Sequence, residues 1–241
     1  MKLTNEFAEI MGMFAADGCL QDRYICMWGN IKEDKDYYDH VVCPLFSNVF
    51  QKKITAHEKK SNSVYGFYLC SGSVVKLFKD LGFSKNKTYT VQIPRIVLEN
   101  NNKNIYSAFI RGFFDCDGCL SFMKRKGKYV YFKRTFNTYP RIDIKVASQK
   151  IIEDISFLLR KLDIKHTKFI VKSYRTNEKM QYQISVRGTK RVESWREKIG
   201  FNNPAKYTKY LIWQKFGMCP TNTTIAQRKL ILQNRINPYS F

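Results

Sequence analysis

Two aspartates, Asp17 and Asp117, are the residues whose placement most plainly asks for chemistry. Each is followed by glycine and closes an apolar run at helical spacing. Phe7, Ile10, Met11 and Phe14 precede the first; Tyr106, Phe109, Ile110 and Phe113 precede the second. A carboxylate at a helix C-terminus meets the negative end of the dipole, at a cost of about 0.3–1 kcal/mol when exposed. One Asp-Gly would be ordinary turn chemistry. Two at the same point of two similar helices need a cause. If the helices pack side by side the carboxylates converge and raise each other's pKa, and a divalent cation removes both penalties. Mg2+ suits such a pair, with water and phosphate oxygens completing its shell. Gly12 and Gly112, each five residues ahead of its aspartate, would let the helix backbones approach.

The elements that must hold this pair come from a duplication. Sliding the chain by 100 residues lays Ile10–Leu20 on Ile110–Leu120, with Ile, Gly, Phe, Asp, Gly, Cys and Leu identical. A later echo pairs Leu81-Gly82-Phe83 with Ile199-Gly200-Phe201. From aspartate to echo glycine the copies take 82 − 17 = 65 and 200 − 117 = 83 steps, and the surplus sits mostly in the basic, aromatic stretch Lys124–Tyr139. Each copy reads α-β-β-α-β-β-α, an α+β fold, with amphipathic helices expected over about Asp34–Phe50 and Lys150–Leu162. The expected plan is a first repeat over 1–83 and a linker over 84–104, which carries Pro94 and an Asn-rich tract. A second repeat over 105–241 contains the basic insert at 124–139 and a helical extension from Lys206.

The chain has 241 residues, 42 Lys or Arg against 20 Asp or Glu, giving a formal charge of +22. Apolar residues at 44% and aromatics at 15% exclude a disordered chain. So large an excess of cations points to a polyanion, nucleic acid first. No run approaches the roughly 18 apolar residues of a membrane span, and Glu6 and Glu9 interrupt any secretion signal. Seven irregularly spaced cysteines argue for a reducing, intracellular compartment, cytoplasmic, nucleoid or organellar. Cys116 and Cys119 spell C-x-x-C without the second pair a zinc site wants, and neither phosphate-cradling glycine motif occurs.

The later strands alternate. Arg141, Asp143 and Lys145 oppose Ile142, Ile144 and Val146; His166, Lys168, Lys172 and Tyr174 oppose Thr167, Phe169, Val171 and Ser173. Gln181, Gln183, Ser185 and Arg187 oppose Tyr182, Ile184 and Val186. The expectation is a sheet with one face under helices and the other reading DNA, Arg and Lys toward phosphate and guanine, Gln toward adenine. Arg23, Tyr24 and Trp28 are the matching candidates in the first copy.

With two motifs in register, the chain resembles the LAGLIDADG homing endonucleases in their monomeric, two-motif form. Ile10–Gly18 and Ile110–Gly118 fill the nine motif positions, and the repeat unit covers essentially the whole chain. The resemblance implies two pseudo-symmetric repeats forming a saddle of two antiparallel sheets, with the motif helices packed at its centre. It implies a long double-stranded DNA target, cut on both strands across the minor groove to leave short 3′ overhangs. Asp17 and Asp117, at the eighth motif position, would be the catalytic metal-binding acids, with the carbonyls of Ala16 and Cys116 completing the coordination. Mg2+ would be the cofactor, with Mn2+ able to substitute and Ca2+ supporting binding without cleavage. Water-orienting residues near the ends of the second and fourth strands would by position be Asn30 and Gln149, and Arg187; only Ser71 or Ser73 stands opposite Arg187 in the first copy. The sixth motif position is Asp115 in one copy and Ala15 in the other.

In the insert, Lys124, Arg125, Lys126, Lys128, Lys133 and Arg134 are expected to extend the footprint along phosphates. The same fold also serves RNA maturases, whose partner is intron RNA, and cleavage-inactive DNA-binding regulators; two intact aspartates argue against the latter. The initiating Met and the lack of splice-junction residues point away from an intein origin.

Overall fold

The computed structural model describes residues 2–59, 63–124, 136–172 and 180–241. Lys126 and Lys128, with Arg125, Lys133, Arg134, Ser173 and Tyr174, lie outside the described residues.

The first repeat runs α1 (Asn5–Asp17), β1 (Gly18–Leu20), β2 (Tyr24–Asn30), α2 (Ile31–Tyr37), a π-helical turn at Tyr38–Val42, α3 (Cys43–Phe50), β3 (His57–Lys59), β4 (Val64–Cys70) and α4 (Gly72–Asp80). A short α5 (Arg95–Leu98) lies in the connection. The second repeat follows the same order: α6 (Lys103–Asp117), β5 (Gly118–Met123), β6 (Tyr139–Val146), α7 (Gln149–Lys161), β7 (Thr167–Val171), β8 (Gln181–Arg187) and α8 (Thr189–Lys198). Then come α9 (Pro204–Phe216) and α10 (Ile225–Leu232). The sheets are β1-β2-β4-β3 and β5-β6-β8-β7, antiparallel at every pairing, so the duplication extends to topology.

Helices α1 and α6 form the centre. Their apolar residues Phe7, Ile10, Met11, Phe14, Tyr106, Phe109, Ile110 and Phe113 are all buried. The two backbones touch: a Cβ on Gly12 would lie 2.0 Å from the Phe109 carbonyl oxygen, and one on Gly112 2.1 Å from that of Glu9. Beside this contact Arg111 pairs with Glu9, Nη2 to Oε2 at 2.5 Å and Nε to Oε1 at 3.1 Å. Asn202 Nδ2 donates to the same Oε1 at 2.7 Å.

Residues 84–104 do more than tether. Val91, Ile93 and Val97 are buried, Ser148 Oγ donates to the Val91 carbonyl at 2.7 Å, and the Ile93 amide donates to Asp154 Oδ2 at 3.1 Å. The C-terminal helices likewise reach back to the first repeat. Arg228, fully buried, donates to the Ala205 carbonyl at 2.6 Å and meets Glu33 at 3.4 Å, while Lys229 pairs with Asp36 at 2.6 Å.

Strand register assigns the faces, because residues directly paired point the same way. Leu20, Ile25, Met27, Phe67 and Leu69 pack under the helices of the first repeat, and Tyr24, Trp28, Tyr68 and His57 lie on the outer face. In the second sheet Arg141, Asp143, Lys145, Gln181, Gln183, Ser185 and Arg187 share the outer face with Thr167, Phe169 and Val171. Lys168 departs from expectation. It pairs with the buried Ile184 and so lies on the helix side of its strand. Lys172, exposed just past that strand, is in phase with Lys168 and not with the outer-face residues.

Candidate active site

Asp17 and Asp117 are the last residues of α1 and α6, and Gly18 and Gly118 lead directly into the edge strands β1 and β5. Asp17 is half-exposed and Asp117 exposed, yet protein crowds both carboxylates. Asp17 is pushed up to about 7, first by burial, then by the charges of Asp117 and Asp34, with Lys206 and Lys87 pulling the other way. Burial also raises Asp117, against the opposing pull of the same two lysines. Two carboxylates and two lysines therefore share one field.

The lysines sit alike in the two repeats. Lys87 Nζ donates to the carbonyls of Ala15 and Ala16 at 2.8 and 2.9 Å. Lys206 Nζ donates to those of Phe114, Asp115 and Cys116 at 2.6, 2.7 and 3.4 Å. Each lysine satisfies orphan carbonyls at the end of a motif helix and places a positive charge at the negative pole of the dipole. Burial lowers the Lys87 pKa, and Asp117 and Asp17 counter that. Neither lysine belongs to the motif. The signal that marks them is the Gly-Phe echo: Lys87 follows Phe83 by four residues and Lys206 follows Phe201 by five.

Asp115 explains the second arrangement. Its Oδ2 accepts the backbone amides of Asn202 and Asn203 at 2.7 and 3.1 Å, and Asn203 Nδ2 donates back to the Asp115 carbonyl at 2.9 Å. Asn203 is the N-cap of α9, accepting from the Ala205 amide at 2.8 Å, so Asp115 fixes the turn from which Lys206 projects. Burial pushes Asp115 up to about 7.

Among the described residues no three His, Cys, Asp or Glu side chains gather as a metal cluster. Among the described residues the aspartate pair supplies the side-chain donors, which suits a hard cation that keeps water and takes phosphate oxygens, and does not suit a zinc site. The Ala16 and Cys116 carbonyls each accept from a lysine, which leaves each a second lone pair. Burial drives the Cys116 thiol well up, away from thiolate.

The three auxiliary positions fare differently. Asn30 closes β2 at the aspartate end of its sheet and Gln149 opens α7 just past β6, but both side chains are engaged locally. Asn30 Oδ1 caps α2, accepting from the amides of Lys32 and Glu33, and Gln149 Nε2 donates to Glu153 at 2.7 Å. Arg187 is not beside Asp117. Gly118 pairs with Ile144 and Ile144 with Ile184, whereas Arg187 lies three residues further along, away from the aspartate. That is about 10 Å along the strand and two strands across. Its guanidinium rests over the Phe169 ring at 4.9 Å.

The outer faces differ in chemistry. In the first sheet Tyr68 lies 5.3 Å from Tyr24 and 4.9 Å from Trp28, and Trp28 lies 5.3 Å from His57, all edge-on, with Lys59 over Trp28 at 5.8 Å. Arg23 is exposed in the turn before β2 and Lys124 just past β5. The second face is polar: Gln183 Nε2 donates to Asp143 at 2.8 Å, and Arg141 and Ser185 also bind that carboxylate.

Residues 104–200 match the family described as LAGLIDADG-like domain. By structure the chain is similar to variants of the homing endonuclease I-DmoI, with TM-score 0.54 and 14% identity over 81% of this chain and 90% of that one. It is similar to I-DmoI in complex with DNA and Ca, with TM-score 0.51 and 15% identity over 76% and 82%. The K103A mutant of I-SmaMI gives 0.56 and 14% over 97% and 92%. At these identities the likeness is one of fold. By sequence, the chain is 27% identical over 210 residues to an A-type ATP synthase subunit of Pyrococcus abyssi, covering 86% of the chain and 18% of that protein. It is 24% identical over 208 residues to the Replication factor C small subunit of Methanocaldococcus jannaschii, covering 86% and 10%. The Probable translation initiation factor IF-2 of the same organism is 31% identical over 120 residues, covering 49% and 9%. The chain thus spans less than a fifth of each of these relatives.

Proposed function

Since residues 104–200 carry a LAGLIDADG-like domain and the whole chain has the fold of the two-repeat homing endonucleases, we propose that this protein is a site-specific DNA endonuclease. It makes a metal-dependent double-strand break with short 3′ overhangs in a long duplex target, acting as a monomer. One observation carries this reading: two aspartates end two helices packed at their glycines, with a lysine on each helix end.

Asp17 and Asp117 would hold Mg2+, for which Mn2+ would substitute, while Ca2+ would support binding alone. A cation bound there would supply a lowered pKa for water and a countercharge for the leaving oxygen. The chain supplies the rest. The two carboxylates come from separate helices, so one centre serves two strands. Lys87 and Lys206 offset the aspartates' charge and favour the negative charge that develops as the phosphodiester breaks. The outer sheet faces take the duplex, and the excess of 22 positive charges draws it in.

The relatives add support of another kind. One belongs to an ATP synthase, another is a replication factor and a third an initiation factor. Their work is unrelated, yet each shares a stretch like this chain amounting to a small part of its length. A segment found inside unrelated hosts is what a mobile insertion leaves behind, and an endonuclease that opens an uninterrupted allele is what mobilises one.

The test is a plasmid carrying the two flanks of the gene's element joined as in an uninterrupted allele. Incubated with the protein in Mg2+ and in Ca2+, it should be cut on both strands near the junction in Mg2+ only. Tight binding with no cut in Mg2+ would refute the nuclease.

A further inference from the structure

On the outer face of the second sheet Arg141 and Arg187 stand directly opposite each other on neighbouring strands. Like charges so placed repel. Among the described residues, the one carboxylate that binds either is Asp143, which is buried. Asp143 Oδ2 accepts from Arg141 Nε, and Oδ1 accepts from Gln183 Nε2 and Ser185 Oγ. Ser185 Oγ in turn accepts from Arg187 Nε at 3.0 Å. The chain of bonds therefore runs from one arginine through Asp143 and Ser185 to the other.

Both arginines are gripped by the inner nitrogen, Nε. Phe169 lies beneath the Arg187 guanidinium at 4.9 Å, and Met123 Sδ takes one N–H of Arg141 Nη1 at 3.4 Å. What remains, among the described residues, is a pair of partly exposed guanidinium tips whose other Nη donors are unspent. A fixed fork of two N–H donors matches guanine O6 and N7 in the major groove. Asp143, with three donors on its two oxygens and little exposure, has no way to take a cytosine amino group. The first sheet offers edge-on aromatics on its outer face and nothing equivalent among the described residues.

We propose that Arg141 and Arg187 read guanines at two neighbouring positions of the half-site bound by the second repeat. Asp143 is the positioning residue that aims both without touching DNA. This rests on the DNA-binding reading above.

The experiment selects binding sites from a pool of random-sequence duplexes, using the full chain in Ca2+. Wild type is compared with Arg141→Lys, Arg187→Lys, Ser185→Ala and Asp143→Asn, each checked by thermal melting. Wild type should enrich a motif with two neighbouring G·C pairs in one half. Each Lys variant keeps the charge but loses the fork, and should weaken one guanine preference by about tenfold to hundredfold, through weaker binding of the guanine-containing site, while binding of duplex lacking that guanine holds. Ser185→Ala should relax the same position as Arg187→Lys, and Asp143→Asn should relax both. If Asp143→Asn does not fold, the other three decide. An enriched motif that lacks the guanines, or keeps them in the folded variants, overturns the proposal and leaves the nuclease intact. Failure of the wild type to enrich any duplex motif overturns both.

Discussion

Gly12 of α1 and Gly112 of α6 bring two helices into backbone contact, each occupying the one place where the partner's carbonyl leaves no room for a Cβ. What a side chain would strike is backbone, which cannot swing aside. Gly12→Ala and Gly112→Ala should therefore each cost stability in the range of about 1–3 kcal/mol, the ordinary cost of overpacking. Thermal unfolding checks this, and melting temperatures equal to wild type would show that the helices can part without penalty.

Lys87 and Lys206 should matter to the chemistry more than to holding DNA. Lys87→Met and Lys206→Met should each lower the cleavage rate by about 10²–10³-fold, the scale on which removal of one charge-stabilising donor acts. Binding of the same duplex should change by less than about tenfold if, as proposed, the sheet faces supply most of the contact with DNA. Rates and affinities measured on one substrate distinguish the cases; parallel losses would make the lysines structural.

Stability should depend on pH through Asp17 and Asp115. Both are raised to about 7 in the folded chain, against roughly 4 when unfolded. The folded state then holds these protons more tightly, so their stabilising contribution is present below about pH 4 and is lost as pH rises through about 7. Asp115→Asn and Asp17→Asn should each flatten part of this fall, measured as the difference in melting temperature from wild type between pH 4 and 8 without metal. A difference that does not change with pH would contradict the assignment.

Metal should act in the opposite sense. Protons and a divalent cation compete for the same carboxylates, so Ca2+ should raise the melting temperature more at pH 8 than at pH 5. Chelation should reverse the shift, and Asp17→Asn or Asp117→Asn should reduce it. A shift of equal size in the variants would place the ion elsewhere.

The repeats, the order of elements along each and the aspartate pair are legible because each leaves a local pattern: helical apolar spacing, Asp-Gly, alternation. Lys168 shows where pattern stops. Alternation sorts β7 into two sets, but on this edge strand both sets are largely exposed, and only the pairing of Lys168 with Ile184 says which faces the helices. Arg187 stands at the end of its strand as position suggested, yet the antiparallel course puts that end away from Gly118. Lys87 and Lys206 leave only the Gly-Phe echo shortly before them, since they act 87 − 17 = 70 and 206 − 117 = 89 residues from their aspartates, in segments that no periodicity ties to the motif. Only the fold brings them back to the helix ends.

The most direct test of the paired-aspartate centre is cleavage of one supercoiled plasmid substrate by wild type, Asp17→Asn and Asp117→Asn in Mg2+, with binding measured alongside in Ca2+. Linear product from wild type, its loss in both variants and binding retained within about tenfold are the expected results. Unchanged linear product from either variant would contradict the centre, as would loss of binding and cleavage together.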